Sequence, residues 1–400
     1  MRIGLVAQEY PPETAKGGIG SQTYLKAHGL VALGHKVHVI SRSPDGSISS
    51  RLDKGVSITR VPGVESRMAV YTEAADWLTY SGEVAAAIAA LHAESPLDVV
   101  DFPEWGAEGY VHLLNRTEWN YVPTVIHLHG PLVMFGHKLG WPEMDSEFYR
   151  VGTAMEGTCL RLADAVFSSS QCSADWCARE YGVKREAIPV LHTGVDTELF
   201  WPRATPKAKC PTIVFAGKLV RNKGVHLLVE AGVRIAEHFP GLQLRLIGRG
   251  EEKIVSELRS LAQASPGLLD LPGFVERTQL PEHFSQAHVF AAPSEYEGGP
   301  GFVYLEAMAC GLPVIACAGS GVAEIVRPGE NGLLVPARDV GALAAALCSL
   351  LENPAQRQAM GEGARRFVLA EADSRACIRK LEAFYTAVAH GNRKEPAKNE

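Results

Sequence analysis

The sequence predicts an α/β fold built from two domains, each a parallel sheet with helices on both faces. Short runs rich in Val, Ile and Leu alternate with longer stretches of helical pattern along most of the chain. This alternation is typical of parallel sheets that are covered on both faces. The chain has 400 residues, and single cores seldom grow beyond roughly 250–300 residues, so we expect a second domain.

The alternation is interrupted once, near the middle of the chain. The segment 201–209 carries two prolines and two lysines without periodicity, which is typical of a linker. We therefore predict a first domain over 1–195, a second over 196–372, and a final helix with a frayed polar tail over 373–400 that packs back toward the first domain. Before the linker, strands are predicted near residues 2–8, 36–41, 56–61, 98–101, 123–128, 164–168 and 188–190, with helices from about 19, 71, 106, 147 and 171. After it, strands are predicted near 212–217, 242–247, 288–292, 313–316 and 332–335, with a helical end from about 339 to 389.

Composition and charge exclude several classes of protein. The chain is 46% hydrophobic and 21% charged with a net charge of −6, so no global basic field attracts nucleic acid. Its eight cysteines form no C-x-x-C pair and no zinc spacing, which favours a reducing cytoplasm. The first apolar run is too short for a signal peptide, and no run reaches the roughly 20 apolar residues that span a bilayer. We expect a cytoplasmic protein with no nucleic-acid partner and with peripheral membrane contact at most.

The strongest chemical signal is a glycine-rich turn within residues 295–311. A predicted strand leads into Gly298, Gly299 and Gly301, and a helix follows. Free backbone N–H groups and the positive end of a helix dipole would then meet at one point, which suits an anion. Glu297 and Glu306 bracket the turn and could accept hydrogen bonds from sugar hydroxyls. The alternative is a tight loop whose carboxylate balances the helix dipole.

A second signal is a basic loop that follows the first strand of the second half. Lys218, Arg221 and Lys223 lie within six positions, at the carboxyl end of a predicted parallel strand, where open α/β sheets bind ligands. A phosphate group would fit this loop as well as the glycine-rich turn. The alternative is a solvated basic turn.

Together these residues resemble the GT4-type retaining glycosyltransferases, and the resemblance covers nearly the whole chain. It implies the GT-B fold, with two facing Rossmann-like domains, an interdomain cleft, an acceptor domain first and a nucleotide-sugar domain second. The motifs that carry it occur in the family's order: the glycines of 17–20, His129-Gly130, 192–200, Lys218 with Lys223, 247–250, 273–275, the glutamate-bracketed turn and 319–324.

The resemblance assigns roles in the second domain. It implies that Glu306 binds the ribose of the nucleotide, that Lys218 and Lys223 hold the diphosphate, and that Glu297 contacts the transferred sugar. Two departures bear on these roles. Eight residues separate Glu297 from Glu306, whereas the family usually has seven, so Glu295 remains a rival candidate for the sugar contact. In addition, Lys218 stands where many relatives have Arg. The other residues assigned to the donor pocket are Gly18, Gly20, Arg221, Arg249, Val275, Gly298, Gly299, Gly301, Phe302 and Gly321.

The first domain is expected to supply the reaction centre and the acceptor site. His127 and His129 share one face of a strand, and the family match falls on His129 at its carboxyl end. Without the family, a hydrogen-bonded structural histidine would be the better interpretation. Glu104 and Trp105 also follow a strand, and we expect them to hydrogen-bond and stack with a sugar acceptor.

The resemblance implies a retaining, metal-independent hexosyltransferase. We expect no cofactor. The donor substrate is expected to be a nucleoside-diphosphate sugar, with UDP-hexose favoured, and the acceptor a carbohydrate, lipid-linked or small molecule. No Asp-x-Asp cluster occurs to hold a divalent ion against the phosphates. A nucleotide-sugar epimerase of the same fold and a non-catalytic nucleotide-sugar-binding protein remain as alternatives.

A dehydrogenase is opposed by spacing. Residues 18–21 partly match a dinucleotide-binding loop, and Arg42 would suit NADP. Roughly ten residues, including Pro11 and Pro12, separate these glycines from the first strand, whereas the dinucleotide fingerprint places its glycines in the first turn after the strand.

Overall fold

The computed structural model describes residues 1–14, 18–63 and 73–391, which form two compact units. One unit holds Met1–Thr193 together with the chain from Arg375 onward, and the other holds Gly194–Ser374. The units therefore change at 193/194 and again at 374/375, where the sequence prediction had 195/196 and 372/373. Gly17, the predicted helix start near 71 and the tail 392–400 lie outside the described residues.

The first unit contains a sheet that is parallel except at one edge. Its described strands run in the order β3-β4-β2-β1-β5-β6-β7, and β3 pairs antiparallel with β4. The strands are β1 (Arg2–Val6), β2 (Lys36–Arg42), β3 (Ser49–Asp53), β4 (Val56–Val61), β5 (Val99–Pro103), β6 (Thr124–Leu128) and β7 (Ala165–Ser168), and the helices are α1 (Gly18–Ala32), α2 (Glu73–Glu94), α3 (Tyr110–Leu114), α4 (Leu132–Leu139), α5 (Glu147–Leu162) and α6 (Gln171–Tyr181).

The second unit contains an all-parallel sheet in its described part. The strand order is β10-β9-β8-β11-β12-β13, and one hydrophobic core joins the sheet to its helices. The strands are β8 (Thr212–Ala216), β9 (Gln243–Ile247), β10 (Leu269–Gly273), β11 (Val289–Ala291), β12 (Val314–Cys317) and β13 (Gly332–Val335), and the helices are α7 (Val225–Ile235), α8 (Glu252–Leu261), α9 (Leu280–Gln286), α10 (Phe302–Ala309), α11 (Val340–Glu352) and α12 (Pro354–Glu371).

The last helix, α13 (Ser374–Gly391), packs in the first unit. Its Ile378, Leu381 and Tyr385 are buried in the same core as Leu30 of α1. A second core in this unit contains residues of α2 and α5. None of the described helices is long and apolar enough to cross a membrane.

The predicted α/β class is confirmed, but one predicted strand is wrong, and β3, β10 and α4 were not predicted. Residues 188–190 form no strand, because only Val190 bridges to Ser168. β3 was missed because its Ser-Ser-Arg-Leu-Asp sequence carries one apolar residue. β10 was missed because it contains a proline. α4 was missed because it has only eight residues.

Candidate active site

The basic loop of the second unit places Lys223 against the glycine-rich turn. A short 3-10 turn (Arg221–Lys223) ends at Gly224, which has a φ of 69°. A Cβ atom there would lie 2.0 Å from the carbonyl oxygen of Pro293, so only glycine allows this loop to approach the exit of β11 so closely. Lys223 Nζ then lies 2.5 Å from Glu297 Oε1. The structure therefore joins two residues that are 74 positions apart in sequence.

The glycine-rich turn also contacts the loop after β12 through backbone atoms. The N–H of Gly321 donates to the carbonyl oxygen of Glu297 at 2.8 Å. A Cβ atom at Gly321 would lie 2.7 Å from the carbonyl oxygen of Gly299. Gly301, with a φ of 65°, precedes α10, which begins at Phe302. The predicted glycine positions thus lie together at the start of one helix.

Glu306 is buried on α10 and is paired with an arginine that the sequence did not indicate. Arg277 Nε and Nη2 each lie 2.9 Å from Glu306 Oε1. Burial raises the pKa of the Glu306 carboxyl, and the charge and hydrogen bond of Arg277 oppose that rise. Arg277 therefore favours the ionised carboxylate that hydrogen bonding to ribose hydroxyls would use. The only sequence signal was its place just after the motif 273–275.

The other predicted donor residues differ in their exposure and in the partners that the structure gives them. Lys218 is exposed at the end of β8. Arg221 points to Glu257 of α8, and Arg249 lies over the ring of Phe274 at 5.0 Å. Val275 is half-buried.

The rival carboxylate, Glu295, has a different partner from Glu297. Arg338 Nε donates to its Oε2 at 2.8 Å, and the Arg338 side chain is 73% exposed. Of the two candidates, Glu297 is therefore the one that contacts a predicted phosphate-binding lysine.

In the first unit, the predicted glycines and histidine follow two strands, β1 and β6. Gly18 and Gly20 open α1, and Gly20 lies against the backbone of Glu9, close after β1. His129 follows β6 and is half-buried, and its ring centroid lies 4.0 Å from that of His127.

Glu104 holds the turn that carries His129. Its side chain is 0% exposed. The backbone N–H of His129 donates to both carboxylate oxygens at 2.6 and 2.7 Å, and that of Gly130 donates to Oε1 at 2.5 Å. Burial raises the pKa of Glu104 to about 7, against the lowering effect of these hydrogen bonds. The carboxylate that we predicted to face an acceptor thus binds backbone N–H groups instead.

Trp105 lies in an aromatic cluster beside this turn. Its ring centroid is 4.9 Å from that of Phe135 and 5.7 Å from that of Trp77, and the side chain is half-buried. Its partial exposure leaves part of the indole ring available for stacking.

A buried cation, which the sequence did not indicate, lies beneath the two histidines. Lys26 Nζ lies 2.5 Å from Asp101 Oδ2 and 3.2 Å from His127 Nδ1, and Tyr385 of α13 donates to the same Asp101 oxygen. Burial, and then the Lys26 charge, lower the pKa of His129 well below its usual value. The His129 imidazole is therefore neutral at pH 7 and can both donate and accept a hydrogen bond.

Two family models match consecutive parts of the chain. Glycosyltransferase Family 4 matches residues 16–199, and Glycosyl transferases group 1 matches residues 198–367. Their meeting point lies next to the change of units at 193/194. The chain belongs to the GT4 glycosyltransferases. The GT-B fold that the resemblance implied is confirmed by the solved structures that this glycosyltransferase resembles.

Individual relatives support the same membership. The glycogen synthase of Mycobacterium tuberculosis is 28% identical over 98% of this glycosyltransferase and 96% of the relative. A GDP-mannose-dependent alpha-(1-6)-phosphatidylinositol monomannoside mannosyltransferase of Mycolicibacterium smegmatis is 30% identical over 58% of this chain and 64% of the relative. Among solved structures, the sucrose-phosphate synthase of Thermosynechococcus elongatus has a TM-score of 0.80 at 25% identity, covering 97% of this chain and 98% of that one.

Proposed function

We propose that this glycosyltransferase is a retaining hexosyltransferase that uses a nucleoside-diphosphate hexose, UDP-hexose first. The observation that carries the proposal is the contact between Lys223 and Glu297, 2.5 Å apart, at the glycine-rich turn. A cation suited to phosphate and a carboxylate suited to sugar hydroxyls meet at this point. Both the phosphate group and the hexose of one donor would therefore be bound there.

Most of the groups assigned to the donor belong to the second unit. Lys218 and Lys223 neutralise the diphosphate and stabilise the charge that builds on it as it leaves. Glu306, whose ionised form Arg277 favours, accepts hydrogen bonds from the ribose hydroxyls, and Glu297 accepts them from the hexose. The remaining donor contacts are assigned to Gly18, Gly20, Arg221, Arg249, Val275, Gly298, Gly299, Gly301, Phe302 and Gly321.

The first unit would supply groups for the acceptor and the reacting sugar. The neutral imidazole of His129 can hydrogen-bond a sugar hydroxyl, and Trp105 can stack on an apolar sugar face. Glu104 acts on the backbone of the His129 turn. The acceptor class extends to carbohydrate, lipid-linked and small molecules.

Retention would follow from attack on the face that the diphosphate leaves. The leaving phosphate oxygen takes the proton of the acceptor hydroxyl, so no protein carboxylate forms a covalent intermediate. Charge on the diphosphate is met by lysines and by backbone N–H groups at the start of α10, which makes the reaction independent of metal. Eight free cysteines suit a reducing compartment, and we propose the cytoplasm.

Donor screening in a chelator tests this proposal. UDP-, GDP- and ADP-hexoses are incubated with the protein and EDTA, and nucleotide release is followed by chromatography. A uridine donor is expected to turn over fastest, and the GDP-mannose-dependent relative makes guanosine the main competitor.

The stereochemistry is read from the product. With an α-linked donor, the NMR coupling of the new anomeric proton should report an α linkage. A β product would contradict retention. Activity that appears only after Mg²⁺ or Mn²⁺ is added would contradict the role of the lysines.

A further inference from the structure

The turn that carries His129 is held by two buried carboxylates. Residues 129–132 have three backbone N–H groups, since Pro131 has none. Those of His129 and Gly130 donate to Glu104, and that of Leu132 donates to Glu156 at 2.9 Å. Every backbone donor of this segment therefore ends on a glutamate side chain.

Glu156 is held as firmly as Glu104. It lies on α5 with its side chain 0% exposed, and the hydroxyl of Tyr181 on α6 donates to its Oε2 at 2.6 Å. Leu132, whose N–H donates to Glu156, is the first residue of α4. The carboxylate therefore also faces the positive end of that helix. Burial, and then the nearby Glu104, raise the pKa of Glu156 well above its usual value.

Two buried carboxyl groups at one turn are a costly way to satisfy three N–H groups. Removing a carboxylate from water costs several kcal/mol, and a serine or asparagine side chain can satisfy a turn N–H without that cost. Buried ionisable groups with strongly shifted pKa values cluster at functional sites. This turn carries the histidine that the proposed function assigns to the reacting sugar.

We propose that Glu104 and Glu156 are positioning residues for hexose transfer, which fix the His129 imidazole through the backbone of residues 129–132. This inference rests on the proposed function. A misplacement of about 1 Å at a reacting group costs about 10²-fold in rate. Loosening the turn should therefore lower kcat and leave the donor KM nearly unchanged, because none of the residues assigned to donor binding lies in residues 129–132.

Glu104→Gln tests the inference with the smallest change of shape. The amide keeps one acceptor oxygen, but its NH₂ group cannot accept, so the three contacts from His129 and Gly130 cannot all form. The matched control is Asp164→Asn. Asp164 accepts the N–H of Thr124 at 2.8 Å, at the opposite end of the same strand, β6.

The assay follows UDP release from UDP-glucose, or from whichever hexose donor the wild type turns over, together with hydrogen exchange of the peptide that contains residues 129–132. We expect Glu104→Gln to lose about 10²-fold in kcat, to keep its donor KM within about twofold, and to exchange faster in that peptide. Asp164→Asn should be less stable to urea while its kcat stays within about twofold of wild type.

Three results would overturn the inference: an unchanged kcat in Glu104→Gln, an equal loss of kcat in Asp164→Asn, or a loss that falls on the donor KM. If Glu104→Gln does not fold, Glu156→Gln carries the same test, with a smaller loss of kcat because one N–H is affected. A wild-type protein that turns over no hexose donor would instead contradict the proposed function.

Discussion

The glutamates near the strand ends of the two units differ in what they bind. In the first unit, Glu104 and Glu156 accept backbone N–H groups, as does Glu108 from Gln8 at 3.1 Å. In the second unit, Glu297 and Glu306 are paired with the side chains of Lys223 and Arg277. The first set is bound to backbone groups, and the second is bound to the ends of long cationic side chains.

This difference separates positioning from ligand binding. A backbone N–H cannot leave its carboxylate without unfolding the turn, so the glutamates of the first unit fix geometry. A lysine side chain can rotate toward a new anion. We therefore infer that Lys223 exchanges part of its contact with Glu297 for the donor diphosphate, which frees a Glu297 oxygen for the hexose.

The largest effect is expected from Lys223→Ala, which removes the mobile cation. Loss of one such stabiliser typically lowers the rate about 10²–10³-fold, and the side chain is 32% exposed, so the fold should persist. Nucleotide release measures kcat. The control is Lys253→Ala, an exposed lysine of α8. A Lys223→Ala rate within about threefold of wild type would remove the lysine from this role.

A pH effect of similar size is expected in the first unit. Burial raises the pKa of Glu104 from 4.5 to about 7. Below pH 4.5 the group is protonated in both folded and unfolded chains, and its contribution to stability is then fully present. Between pH 4.5 and 7 only the unfolded chain ionises readily, so stability should fall by about 3 kcal/mol over this range.

Urea unfolding of wild type and Glu104→Gln from pH 4 to 8 measures this effect. Wild type should lose stability relative to the variant up to about pH 7, and the difference should then level off. Glu156 faces the same turn with its pKa also raised, but it is present in both proteins. A difference that is constant with pH would show that folding leaves the pKa of Glu104 unshifted.

The residues in these two predictions also show which parts of the candidate site could be predicted from the sequence. Lys218, Lys223, Glu297 and Glu306 were predicted as site residues because glycines and charges cluster in short segments after strands. Arg277 and Lys26 were missed because each acts through a partner at least 29 positions away, and a single sequence carries no signal for such pairing.

Most strands were predicted because buried parallel strands are continuous apolar runs. The edge strand β3 lacks that pattern because most of its side chains are exposed. Glu104 was correctly placed at a strand end, but the direction of its carboxylate, toward the backbone of residues 129 and 130, depends on the pairing of β5 with β6. Strand pairing of this kind is a tertiary property that local sequence does not contain.

A third effect should separate the ribose contact from the phosphate contact. Glu306→Gln removes a charged acceptor, and hydrogen bonds to charged groups contribute about 1.5–3 kcal/mol. Wild type should therefore discriminate against a 2′- or 3′-deoxyribose donor about 10- to 100-fold, and the variant much less. Comparing kcat/KM for the paired donors measures this discrimination. Equal discrimination in both proteins would exclude Glu306 from the ribose site.

A smaller effect should rank the two rival carboxylates. Glu297→Ala is expected to lower kcat/KM about tenfold more than Glu295→Ala, a difference of about 1.4 kcal/mol, because only Glu297 contacts Lys223. Both variants are assayed with the same hexose donor. The reverse ranking would show that the extra residue between the glutamates moves Glu297 away from the sugar.

The smallest effect is expected from Arg338→Ala, which removes the partner of Glu295. Arg338 is 73% exposed, and ion pairs at the surface contribute little because water and salt screen them. If the Glu295–Arg338 pair has no part in donor binding or transfer, the variant should keep kcat/KM within about twofold of wild type, at both 0.05 and 0.5 M salt. A larger loss would mean that Arg338 holds Glu295 in a working position. The sugar contact would then involve both glutamates, and Arg338 would be a positioning residue for one of them.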